Sequence, residues 1–275
     1  MRKTCILLYF TILYIALCTS CGKEPDRHSP LQRHDFDATT TDYVKGRAKT
    51  ALSDFTTLWK VGDRFTVIGS DDIPHSCHAT QGDTATAIFN YDTVPASAVS
   101  GPYTAIYPSS VYASASRIIL PPSYTSATGA LTEAPMYAFS QTTELTFHNL
   151  CGLACITITG QEYKNLYYVI INADKNINGM FDLENNPDNP DCPQLSYAKG
   201  GSTSTILRVI HPTESNGDFY IPIPAGRYNS LSVYLQTFDN TYANALLNNG
   251  SPVTIKQNAI TPFILNDLVF RPNSQ

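Results

Sequence analysis

The chain has 275 residues, of which 15% are charged against a globular average of about 25%, and its formal net charge is −5. It carries no basic block of useful length, which excludes the clustered Lys and Arg that a nucleic-acid partner requires. Thr, Ser, Tyr and Asn abound instead, a profile that suits an exported all-β protein whose strands favour Thr, Tyr, Val and Ile.

In chain order, Met1-Arg2-Lys3 is a basic start, Cys5 to Leu17 an apolar run, and Cys18-Thr19-Ser20-Cys21-Gly22 follows at once. This pattern predicts a secretory signal peptide over residues 1–20. The apolar run falls short of the about 20 residues that span a bilayer. Cys21, directly behind small Thr19 and Ser20, resembles the cysteine of a bacterial lipobox, whose thiol is acylated to become the first residue of the mature protein. Cys18 is the rival site, but bulky Leu17 would precede the cut, and Cys18 itself stands where a lipobox usually has Leu. Ordinary signal cleavage with Cys21 merely nearby is the alternative. Residues 21–36, with Lys23, Glu24, Pro25, Asp26 and Pro30, then read as the lipid anchor and a flexible tether.

Strand signals recur from there to the end. Residues 64–68, 84–89, 144–147, 155–159, 167–171, 219–223 and 230–235 show β-branched or aromatic enrichment or alternation, punctuated by Gly, Pro, Asn and Asp. No window carries an amphipathic helical period, so the sequence predicts an all-β, sandwich-like chain. The Pro-rich stretch 94–135 is expected to hold little regular strand and to form long excursions. A boundary near 148–150 divides residues 37–149 from 150–275, with no linker to mark it.

Once the signal peptide is removed and Cys21 acylated, Cys77, Cys151, Cys155 and Cys192 remain. An exported chain permits disulfides, and four cysteines allow three pairings. On one strand over 145–159, Cys151 and Cys155 would lie about 13 Å apart, beyond the about 7 Å a disulfide spans. Buried free thiols fit the sequence equally well.

Few side chains suggest chemistry. Asp174-Lys175-Asn176-Ile177-Asn178-Gly179 resembles the first half of a calcium loop, but the twelfth position is Asn185 where a bidentate Glu is needed. Asn178-Gly179 favours a hairpin there. His75-Ser76-Cys77-His78 behind Asp71, and His148 with Cys151 and Cys155, lack the paired spacing of zinc sites. With no nucleophile elbow and no Gly-rich phosphate loop, no enzyme, cofactor or metal is expected. Tyr103, Tyr107, Tyr112, Tyr124 and Tyr137 offer a surface for a glycan or host protein; packing within strands and turns is the commoner use of such residues.

Five motifs, taken in order, resemble Bacteroidetes fimbrillin-like (Mfa-like) proteins, subunits or accessory lipoproteins of type V pili. They are Trp59-Lys60-Val61-Gly62-Asp63, Tyr103-Thr104-Ala105-Ile106-Tyr107-Pro108, Pro135-Met136-Tyr137-Ala138, the segment from Leu145 to Leu153, and Pro224-Ala225-Gly226-Arg227-Tyr228. The matched region is 47–270. The resemblance implies two tandem transthyretin-like β-sandwich domains and a lipidated precursor at the outer membrane surface, in adhesive fimbriae or beside them. An Arg-specific protease would remove the first strand, and a strand from another fimbrillin subunit would fill the groove. The removable strand would be Asp37 to Val44, and the cut would fall between Arg47 and Ala48, with Arg33 the other candidate. The donor would be the last strand, anchored by Ile260, Phe263, Leu265, Leu268 and Phe270. A monomeric surface lipoprotein whose two terminal strands are permanent parts of the fold is the alternative.

Overall fold

The computed structural model describes residues 35–45, 57–127, 130–131, 133–210 and 217–272. In chain order the first strands are β1 (Phe36–Thr40), β2 (Val44–Lys45), β3 (Arg64–Ile68), β4 (His75–Ala79), β5 (Thr86–Tyr91) and β6 (Tyr103–Tyr107). Next come β7 (Tyr112–Ser114), β8 (Arg117–Leu120), β9 (Ser123–Ala127), β10 (Ala130–Leu131), β11 (Met136–Ser140) and β12 (Glu144–Asn149). The second half holds β13 (Cys151–Ile158), β14 (Leu166–Ala173), β15 (Gly179–Glu184), β16 (Gln194–Lys199), β17 (Ser204–Ile210) and β18 (Asp218–Pro224). It ends with β19 (Gly226–Tyr228), β20 (Leu231–Thr237), β21 (Thr241–Leu246), β22 (Val253–Ile255), β23 (Ala259–Leu265) and β24 (Arg271–Pro272). The helical elements among the described residues are two short 3-10 turns, Ser109–Val111 and Glu162–Asn165. The expected all-β class is the class observed.

Alternation decides which face each strand buries. In β20, Leu231, Val233 and Leu235 point inward while Ser232, Tyr234 and Gln236 stay partly exposed, the period of two that a half-buried strand requires. β18 is buried along its whole length and carries Pro222 and Pro224, which its place at a sheet edge allows.

The N-terminal strands close on themselves in the order β1-β12-β11-β6-β3-β4-β5. The interior is packed with aromatic side chains, among them Phe36, Trp59, Phe65, Phe89 and Phe147, as a barrel too narrow for a channel must be. The later strands, joined by β2, β9 and β10 of the first half, form two sheets, β10-β9-β17-β14-β20-β21-β24 and β18-β13-β23-β2. Val169, Ile171, Leu207 and Val233 of the first meet Ile156, Phe219, Ile221 and Phe263 of the second in a single cluster. A four-stranded sheet, β16-β15-β8-β7, and the pair β19-β22 complete the fold.

Three local expectations change. The 94–135 stretch is strand-forming: β6 belongs to the closed sheet, and beyond it the chain leaves the barrel, where β8 pairs with β15 and β9 runs parallel to β17. β7 pairs locally with β8 and β9 with β10, but β15 and β17, which give the segment its place in the sheets, lie far away in sequence. The single strand expected over 145–159 breaks at Leu150, where the chain leaves the closed sheet and enters the next. Residues 174–178 form neither a calcium loop nor a hairpin. They cross between sheets, and Asn178 is held by Ser202 and Ser204 through its side-chain amide.

Candidate functional site

The candidate site is the slot that β1 occupies. β1 runs parallel to β12, with Ala38 opposite Leu145 and Thr40 opposite Phe147, and antiparallel to β5, with Phe36 opposite Phe89. It is therefore the strand that seals the closed sheet, and without it β5 and β12 would each present a row of unpaired backbone groups. Phe36, Ala38 and Thr40 face inward, and Asp37 faces out.

The pocket under β1 is aromatic. The Phe36 ring meets Phe65, Tyr91 and Tyr103 edge-on at centroid distances of 5.9, 5.4 and 5.2 Å. Trp59, the one tryptophan of the chain, is 1% exposed and meets Phe89, Tyr107 and Phe147 in the same T-shaped manner. Its indole Nε1 donates to the Ala38 carbonyl at 2.9 Å, so the ring is bonded directly to the backbone of β1.

The local sequence explains how Trp59 is aimed. Gly62 takes φ +85°, which an L side chain resists, and the turn is closed by Asp63, whose Oδ2 accepts from the Lys60 N–H at 2.8 Å. Burial raises the Asp63 carboxyl above its ordinary value, against hydrogen bonds from Lys60 and the Tyr107 hydroxyl. The Trp-x-x-Gly-Asp spacing is thus a turn that presents an indole to the first strand.

Beyond Thr40 the same segment reaches the second half of the molecule. Buried Asn149 donates from Nδ2 to the Thr41 carbonyl at 3.1 Å and to Asn258 Oδ1 at 2.8 Å. Tyr43 packs with Leu153, Cys155, Tyr220 and Ile260, and β2 pairs parallel with the start of β23. Residues 36–45 therefore close one sheet and edge another, with Asn149 holding the crossing. The sequence marked Asn149 only as part of a motif, with no hint that its amide would bridge the two ends of the chain.

The expected donor strand is seated in its own sheet. β23 lies between β13 and β2, parallel to both, and Ile260, Phe263 and Leu265 are buried. Leu268 and Phe270 are partly buried against the same core. Cys21, Arg47 and Ala48 lie outside the described residues, Arg47 two positions past the end of β2.

The remaining sequence candidates take structural places. Asp71 accepts from His75 and Asp92 from His78, each at 2.7 Å, and no group of three or more His, Cys, Asp or Glu among the described residues is placed to hold a metal. Tyr103, Tyr107 and Tyr124 are buried, which is the packing role and not the binding-surface alternative. Cys77, Cys151, Cys155 and Cys192 are free and buried. Burial pushes the Cys155 thiol up to about 11 and Cys192 up to about 12, and raises Cys77 and Cys151 further, so all four stay protonated. A thiol-labelling reagent should therefore leave these four untouched in the native protein and react with them after denaturation. Fast native labelling of any one would contradict its placement.

No protein-family model matches the chain, and no curated protein matches it in sequence. Solved structures match it in fold. One, described as a "putative cell adhesion protein" from Bacteroides ovatus, aligns at 10% identity over 87% of this chain and 95% of its own, with a TM-score of 0.51. Another so described, from Bacteroides uniformis, aligns at 10% identity over 87% and 95%, with a TM-score of 0.46. The tip fimbrial protein Mfa3 from Porphyromonas gingivalis, solved with a C-terminal truncation, aligns at 10% identity over 78% and 96%, with a TM-score of 0.36. The likeness is one of fold, and the first of the three carries it.

Proposed function

We propose that this protein is a lipid-anchored surface subunit of the fimbrillin type, a structural or accessory component of adhesive fimbriae, that joins its neighbours by strand exchange after its first strand is cut away. The observation that carries the reading is the position of β1. It is the first described strand, it seals a sheet between β5 and β12, and a Gly-Arg-Ala sequence follows it within two residues of β2.

While residues 46–56 are intact, β1 is held beside its slot at high effective concentration and competing strands are excluded. A cut at Arg47 removes that advantage. The vacated slot then offers two unpaired strand edges and an apolar socket, which a partner's strand satisfies through backbone bonds and alternating side chains. Phe263 and Leu265 stand two residues apart, as do Leu268 and Phe270, matching the step between Phe36 and Ala38. Such a contact is head-to-tail and grows into a filament. Acylated Cys21 and the tether over residues 21–36 would hold the precursor at the outer membrane.

The two halves, 37–149 and 150–275, are read as tandem domains of transthyretin-like descent, the first closed into a barrel by β1 and lending β2, β9 and β10 to the sheets of the second. In each half a terminal strand joins by parallel pairing, β1 to β12 and β23 to β13. In each half a buried tyrosine also donates its hydroxyl to the carbonyl four residues upstream, Tyr103 to Val99 and Tyr228 to Pro224. The test is Arg47→Ala: SDS-resistant oligomers should form when the unaltered protein is treated with an Arg-specific protease and should be lost in the variant. Equal oligomer formation by both would reject the cut at Arg47.

A further inference from the structure

The outer face of the seven-stranded sheet carries a row of polar and aromatic side chains. Cross-strand register sets Arg208, Tyr168, Gln236, Tyr242 and Arg271 side by side in one row across β17, β14, β20, β21 and β24. Directly opposed residues share a face, and the opposite face of these strands is the buried core, so this row points outward. Both arginines are exposed, and neither forms an ion pair among the described residues.

A β-bulge adds to the row. The register between β14 and β20 shifts at Leu166 to Tyr168, which turns Tyr167 to the same side as Tyr168. The two rings lie 4.0 Å apart, Phe238 lies 4.8 Å from Tyr167 and is 57% exposed, and the Arg208 guanidinium sits 5.9 Å from the Tyr167 ring centre. Towards the other edge, Tyr234 and Tyr242 stack at 5.6 Å and 18°. Asn244 is exposed opposite Tyr234.

The charge pattern selects the occupant. The chain has 23 Asp and Glu residues and a net charge of −5, yet none of the seven strands of this sheet contains a single carboxylate. Asp239, on the turn beyond Phe238, is engaged by the Asn165 amide. We propose that this face binds an anionic polysaccharide carrying carboxylates, as in uronic acids, laid across the strands with its acid groups on Arg208 and Arg271. Guanidinium forks match carboxylates in two-point hydrogen bonds, the partly exposed rings can cover the C–H faces of sugars, and Asn244 offers an amide to hydroxyls, whereas the Gln236 amide nitrogen is held by Asn240. The arginines are four strand spacings apart, about 19 Å, a span that fits an oligosaccharide and exceeds a single sugar. Two cations are too few for the phosphate neutralisation that holds a nucleic acid.

The face belongs to the uncut monomer, so its test is independent of strand exchange. The purified protein is titrated with an oligogalacturonate hexamer, with maltohexaose as the neutral control. Binding should be confined to the acidic hexamer and weaken with salt, and Arg208→Gln, Arg271→Gln and Tyr242→Ala should each weaken it about tenfold with the melting temperature retained. Arg117→Gln, which breaks a pair with Asp182 on another sheet, should leave it unchanged. Absent binding, equal affinity for maltohexaose, unchanged affinity in all three variants of this face, or tighter binding of single-stranded DNA or anionic vesicles would each overturn the proposal.

Discussion

Replacing Trp59 with alanine should lower the stability of the protein by about 3–5 kcal/mol. The indole is enclosed by Phe89, Tyr107 and Phe147, so truncation opens a large cavity in a closed sheet whose backbone has little room to collapse. It also removes the donor to the Ala38 carbonyl, a buried acceptor on the strand that closes the sheet. Trp59→Phe keeps most of the ring volume and loses the hydrogen bond, so its cost should be smaller and should fall on the seating of β1. Denaturant unfolding of the three proteins measures both. Near-equal stability of Trp59→Ala and the unaltered protein would mean that the indole neither fills this core nor holds the strand. The single tryptophan also gives a direct optical signal: its emission should be that of a buried ring while β1 is in place and shift to longer wavelength when the strand leaves.

Phe36→Ala is expected to cost about 3–4 kcal/mol, because three rings lose their edge contact with Phe36 and β1 loses its largest buried side chain. Asp37→Ala, one position along and facing solvent, should stay within about 0.5 kcal/mol. The contrast separates burial from mere location on the strand. In amide hydrogen exchange, Phe36→Ala should expose the backbones of β1, β5 and β12 before the rest of the molecule opens, since those three strands share the ladder that Phe36 anchors. Exchange that rises uniformly across the whole chain would show that β1 is not an independently releasable element.

Much of this site was legible in the sequence because its signals are local. The Trp-x-x-Gly-Asp spacing is a turn that needs a positive φ at Gly62 and a side-chain acceptor at Asp63, and both requirements are met within five residues. The apolar alternation of the last strand and the Tyr-Pro and Pro-Ala-Gly-x-Tyr segments are likewise short-range patterns, and they fall on β23, β6 and β18–β19. What escaped detection depends on partners distant in sequence. The 112–131 excursion becomes β7 to β10 because β15 and β17 offer it edges, and neither strand is visible from residues 112–131 alone. Tyr124 looks like a loop tyrosine until its strand is placed beside β17, which turns it inward. The strand over 167–171 is read correctly, but the register shift against β20 that sets Tyr167 beside Tyr168 depends on a partner more than sixty residues away. Asn149 shows the same limit, for its two acceptors sit more than a hundred residues away along the chain.

The removable-strand reading rests on where the first strand goes after the cut, and intact mass measurement of the separated species tests that directly. The protein is digested with an Arg-specific protease, monomer and SDS-resistant oligomer are resolved, and each fraction is weighed for the peptide that ends at Arg47. The oligomers should lack that peptide while residual monomer retains it, because the slot between β5 and β12 holds either the chain's own strand or a partner's. Oligomers that keep the peptide in full amount, or a chain completely cut at Arg47 that stays monomeric at high concentration, would contradict it.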